Sequence, residues 1–113
     1  MSRPSELVAK RASYAPVFAA LGDPTRLSLI AKLARGAPCS IAALTEETKL
    51  TRQAVTKHLR VLERAQLVRS AREGRESRFE FNPEPIEELR RYLDLVARQW
   101  DEALGRLKSF VER

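Results

Sequence analysis

The spacing of apolar positions divides the chain into five helical stretches and one segment of alternating character. Tyr14 to Leu21 is a nearly continuous apolar run, and Gly22 supplies a helix stop. Asp23 followed by Pro24 reads as an N-cap with proline in the first turn. The helix it opens has Leu27, Ile30, Ala31 and Leu33 with Ala34 as its inward stripe, and Gly36-Ala37-Pro38 closes it. Ser40 can cap a third helix with Ile41, Ala43 and Leu44 facing inward. After the polar link Thr48-Lys49, Thr51 caps a fourth helix running to about Ala65. From Val68 to Phe81 the period changes: Phe79 and Phe81 alternate with Arg78 and Glu80, and Glu73-Gly74-Arg75 supplies a hairpin turn. Asn82-Pro83-Glu84-Pro85 ends the hairpin and opens the final helix. Residues 1–12 are expected to be loosely ordered until packed against something.

The final helix has the most regular pattern. Ile86, Leu89, Leu93, Val96, Trp100, Ala103, Leu107 and Phe110 alternate spacings of three and four, a heptad-type seam about 38 Å long. Tyr92, Leu95, Leu104 and Val111 widen it. A chain of 113 residues has little core with which to cover such a face, so a second subunit is expected to cover it.

Four helices, a hairpin and a long helix give a fold class that is mostly α with a small β-hairpin. The order predicts a winged helix-turn-helix within one domain, 1–113. Its helix-turn-helix spans 40–65, its β-wing 67–82 and its dimerisation helix 84–112. Charge sharpens this reading. The net charge is +6, and Lys49 to Arg78 holds nine basic and three acidic residues, so that window carries the whole excess. A local polyanion-binding surface is expected there.

On a helical projection, Val55, Leu59 and Leu62 define the buried face of the fourth helix, and Gln53, Lys57, Arg60 and Arg64 lie roughly opposite, with Thr56 at the border. Lys and Arg suit guanine's acceptors, and Gln suits the adenine edge. Thr51 and Arg52 sit at the helix start, where phosphates or the first base edge are in reach. Arg72, Arg75 and Arg78 surround the hairpin turn, where a wing meets phosphates or a minor groove. Glu73 and Glu76 dilute that field, so fewer than all three arginines are expected to touch DNA. Arg64 and Arg69, nearer the hairpin base, are expected to pair with acids instead. A different class of function, a helical interaction module binding RNA or an acidic protein through residues 49–78, would use the same charge.

Other classes are excluded by what the sequence lacks. One cysteine, Cys39, cannot form an intrachain disulfide, and is expected to be a small buried apolar group. The polar N-terminus lacks a signal-peptide core, and no apolar run approaches a bilayer span, so a cytoplasmic protein without membrane contact is expected. No nucleophile–base arrangement, phosphate-cradling glycine loop or paired His/carboxylate motif is present, so the chain reads as a non-enzyme without cofactor. His58, beside the buried stripe of the fourth helix, is expected to be a partly buried packing residue.

The stretches LGDPTRLSLIAKL (21–33), LTRQAVTKHLRVLERAQLV (50–68) and GRESRFEF (74–81) resemble the ArsR family of bacterial winged-helix repressors. The resemblance covers roughly residues 14–110, and WDEALGRLKSFVE (100–112) is similar to a branch lacking obvious metal sites. It implies a homodimer joined through the first and last helices, with Val17, Leu89, Leu93, Val96, Trp100 and Leu107 at the interface. It implies a palindromic operator in double-stranded DNA, and repression relieved by a ligand or signal, with the small-molecule effector unknown. Metal-sensing members carry Cys-x-Cys at the start of the third helix, where this chain has Ser40 and Ala42, with Cys39 one residue outside. Another family site uses histidine with carboxylates on the last helix, which here has Glu87, Glu88, Asp94, Asp101 and Glu102 but no histidine. No metal is therefore expected.

Overall fold

The computed structural model describes residues 3–112. The helices are α1 (Pro4–Ala9), α2 (Arg11–Leu21), α3 (Pro24–Arg35), α4 (Ile41–Glu46), α5 (Arg52–Arg64) and α6 (Glu84–Val111). The strands are β1 (Cys39–Ser40), β2 (Val68–Glu73) and β3 (Glu76–Phe81), in the antiparallel order β1-β3-β2.

The capping residues read from the sequence act at three helix starts. Asp23 Oδ2 accepts from the Arg26 N–H at 3.0 Å, Ser40 Oγ from Ala43 at 3.1 Å and Thr51 Oγ1 from Ala54 at 3.1 Å. Each satisfies a donor that the first turn leaves without a helical partner. The end of α5 is less ordinary, because Gln66 takes φ 62°, a left-handed conformation usually given to glycine. It completes a Schellman motif: Gln66 N–H donates to Glu63 O at 2.9 Å and Leu67 N–H to Leu62 O at 3.0 Å.

One helix face and two elements depart from the sequence expectation: α3 buries Leu29 with Leu33, while Leu27, Ala31 and Ala34 of the expected inward stripe are exposed. Of residues 1–12, expected to be loosely ordered, 1–2 lie outside the described residues, 11–12 open α2, and 4–9 form α1, because proline starts it and Leu7 is buried against Tyr14, Leu89 and Leu95. The hairpin also gains a third strand, as Cys39 and Ser40 pair with Phe79 and Arg78.

The main core joins α3, α4 and α5 to the sheet. Phe79, Leu29, Leu59, Leu62, Leu67, Val55 and Val68 are fully enclosed, each contributing roughly 1.5–3 kcal/mol of burial. The smaller cluster of Leu7, Tyr14, Leu89 and Leu95 fastens α6 to α1 and α2, with the Tyr14 and Tyr92 rings 5.2 Å apart. Beyond Leu95 no described residue of α6 is buried, and the molecule is drawn out to 68 × 29 × 23 Å.

Candidate nucleic-acid interface

The turn between α4 and α5 is tied by Thr48, whose hydroxyl donates to Thr45 O at 3.1 Å and accepts from Leu50 N–H at 3.3 Å. Val55, Leu59 and Leu62 then lock one face of α5 into the core with no exposure. The opposite face is solvent-facing. Arg52, Gln53, Thr56, Lys57, Arg60 and Arg64 line one open groove there. Thr51 stands at its head with its oxygen engaged as the cap, and the Thr56 hydroxyl donates to Arg52 O at 2.8 Å.

Two basic side chains on this face are held. Arg60 Nη1 donates to Glu63 Oε1 at 2.8 Å, and Arg64 Nε donates to Arg60 O at 3.3 Å. Arg64 therefore caps a carbonyl of its own helix and does not pair with an acid as expected. Arg69 does approach one, Glu80 at 4.0 Å, and also donates to Asn82 Oδ1 at 3.3 Å. Glu63 in turn accepts from the Ser70 hydroxyl at 2.6 Å. That hydroxyl, and then Arg60, hold the Glu63 carboxyl below its ordinary pKa.

The wing follows from the strand register. Val68↔Phe81, Ser70↔Phe79 and Arg72↔Ser77 share the face that packs on the helices, while Arg69, Arg78, Glu73 and Glu76 lie on the other. Glu73 pairs with Glu76, leaving Gly74-Arg75 as the loop, and Gly74 at φ +64° supplies the positive dihedral such a turn demands. Arg78 Nε lies 3.2 Å from Glu73 and its Nη2 3.6 Å from Glu76, so its charge is offset. Among the described residues, Arg72 and Arg75 have no carboxylate at ion-pair distance, and neither do Arg52 and Lys57.

His58 is partly buried, as expected, and its ring also makes polar contacts. Its Nδ1 is 3.3 Å from Arg26 Nη1, so the ring accepts from the guanidinium, and it lies 3.9 Å from Asp23. Arg26 also donates to Ala20 O at 2.6 Å, tying the end of α2 to α5. The Arg26 backbone N–H, followed by the Arg26 charge, keeps the Asp23 carboxyl below its ordinary pKa. Cys39 is only half-buried, on β1, and its thiol donates to Ala37 O at 3.4 Å. No cluster of three or more metal-ligating side chains occurs among the described residues.

Six residues were expected at an intersubunit face, and they fall into two groups. Leu93, Val96, Trp100 and Leu107 are exposed on α6. Leu89 is instead buried in its own protomer, and Val17 is half-buried against both core clusters. The reason is α1: it brings Leu7 onto the face of α6 that a simple seam assigns to a partner. Leu104, Phe110 and Val111 extend the exposed stripe.

A three-helix core carrying a basic helix and a hairpin beside it defines a winged helix-turn-helix protein. The sequence pattern of a helix-turn-helix domain family matches residues 21–71. The chain is 39% identical over 79 residues to the HTH-type transcriptional regulator YuzN of Bacillus subtilis, covering 65% of this chain and 86% of that one. The structure of an ArsR-like transcriptional regulator from Rhodococcus sp. RHA1 superposes with a TM-score of 0.80 at 34% identity, covering 90% of this chain and 95% of that one. A winged helix-turn-helix DNA-binding domain from Mycobacterium bovis, described as homodimeric, shares the fold with a TM-score of 0.65 at 23% identity, covering 88% and 91%. The chain belongs to the ArsR family of DNA-binding transcriptional regulators.

Among the described residues, no helix is long and apolar enough to cross a membrane.

Proposed function

We propose that this protein is a homodimeric repressor that binds an inverted repeat in duplex DNA. The observation that carries the proposal is the polar face of α5, exposed opposite a fully enclosed apolar one. In this reading Gln53, Thr56, Lys57 and Arg60 face the major groove, Thr51 and Arg52 stand at its entrance, and the wing follows the backbone. Arg72 and Arg75, which have no acidic partner among the described residues, make the main wing contacts, and Arg78 contributes less because Glu73 and Glu76 occupy it. A second copy covers Leu93, Val96, Trp100, Leu104 and Leu107, in keeping with the homodimer described for the Mycobacterium bovis domain. Two-fold pairing of protomers calls for two-fold related half-sites.

The test is a gel-shift titration with duplex DNA from immediately upstream of the gene, at two salt concentrations, with random duplex and single-stranded RNA as competitors. Binding that resists random duplex supports a sequence-specific regulator. A preference for the RNA would count against it and favour an RNA-binding module. Binding abolished equally by any polyanion would leave only the salt-dependent phosphate term.

A further inference from the structure

We propose that Glu63 is a positioning residue, and that it makes Arg60 the side chain on α5 that discriminates between bases. This deepens the proposed function and rests on duplex DNA lying along that face.

The geometry is a chain of two bonds. Glu63 Oε1 accepts from Arg60 Nη1 at 2.8 Å, and Glu63 Oε2 accepts from Ser70 Oγ at 2.6 Å. Both carboxylate oxygens are thus engaged, one by the recognition helix and one by the first strand of the wing. Arg52, Gln53 and Lys57 share the face with Arg60, but none has a side-chain hydrogen bond among the described residues. They must be ordered whenever DNA is bound, whereas Arg60 is already restrained through Glu63 and Ser70.

Only one of the five guanidinium N–H donors of Arg60 is spent on Glu63, and half of the side chain remains exposed. The remaining donors can take both acceptors on the major-groove edge of guanine. The Glu63 carboxylate also offsets the charge of Arg60. It weakens the attraction of Arg60 to any phosphate without removing its donor geometry. An arginine so placed adds little to non-specific binding and much to the choice of sequence.

The experiment selects duplex sites from a random pool with the wild-type protein, then replaces each G·C pair of the selected site in turn. Wild type, R60A, E63Q and S70A are compared on every version and on random duplex. R60A and E63Q are expected to lose on the order of tenfold in discrimination at one guanine per half-site. E63Q should also bind random duplex more tightly at low salt, having lost an acid beside the groove. S70A leaves the net charge unchanged, and should lose part of the same discrimination at the same base pair, which a pure charge effect would not produce. If E63Q and S70A keep wild-type discrimination at every position, or E63Q gains affinity equally on all sites, the positioning role is overturned. A wild-type protein that enriches no duplex sequence overturns the underlying function as well, and the two failures are distinct.

Discussion

Leu93→Glu should convert the proposed homodimer to monomers. Leu93 is 50% exposed and belongs to neither buried cluster, so the change leaves the protomer core untouched. The exposed stripe comprises Leu93, Val96, Trp100, Leu104, Leu107, Phe110 and Val111, each between 38% and 72% exposed. With side-chain areas of roughly 150–250 Å², these offer about 700 Å² per protomer, close to one side of a standard interface. A two-fold axis places the new carboxylate in that interface twice. An unpaired charge denied water costs several kcal/mol, so the pair should cost at least about 4 kcal/mol, or roughly a thousandfold in dissociation constant. Sedimentation at micromolar protein reads the mass directly. Trp100, the chain's single tryptophan and 64% exposed in the protomer, gives an independent signal, because its emission should shift to the red when the partner leaves. A Leu93→Glu protein that still sediments as a dimer, with blue-shifted Trp100 emission, would refute the argument.

The remaining predictions concern the wing, a helix end and acid. Arg75→Ala should lower the salt dependence of DNA binding by about one counterion, measured as the slope of log affinity against log salt, while Arg78→Ala should change it less. Gln66→Gly should leave thermal stability unchanged or raise it by up to about 1 kcal/mol, whereas Gln66→Val should lower it by roughly 1–2 kcal/mol, since a β-branched residue fits the left-handed cap poorly. Asp23 and Glu63 have depressed folded-state pKa values, so the stability they add is present above their ordinary range near pH 4 and is lost as pH falls through the folded values. Urea midpoints should therefore fall with acid below about pH 4, and Glu63→Gln should flatten that fall.

How far the sequence revealed this arrangement depended on the range of each interaction. Asp23, Ser40 and Thr51 were legible as caps because a cap acts within three residues of itself. The hairpin was legible from alternation around Gly74. Short elements held by distant partners were not. The six residues of α1 lack a capping side chain, and depend on Leu7 meeting α6 some eighty residues away. The two residues of β1 exist only through pairing with β3. Leu89 carries the same spacing signal as Leu93, and only tertiary packing separates its buried face from the open one. Within the candidate site, periodicity placed Arg60 on the polar face but could not reveal its bond to Glu63 or the hold of Ser70, because strand register decides which wing residue lies beside α5.

Asn82 has a consequence for the DNA itself. Its side chain donates to Gln66 O at 2.8 Å and accepts from Arg69 at 3.3 Å and from Glu84 N–H at 3.4 Å, and its own N–H donates to Leu67 O at 2.9 Å. The end of α5, the base of the wing and the start of α6 therefore meet at one buried joint. With that joint fixed, the distance between the two α5 helices of the proposed homodimer would be set by how the long helices cross, and the dimer would work as a caliper of fixed opening. One inserted base pair between half-sites moves the second by about 3.4 Å and turns it by roughly 35° around the duplex. A caliper without a hinge would not follow both displacements, so on the proposed inverted repeat the spacing between half-sites would itself be part of what is recognised.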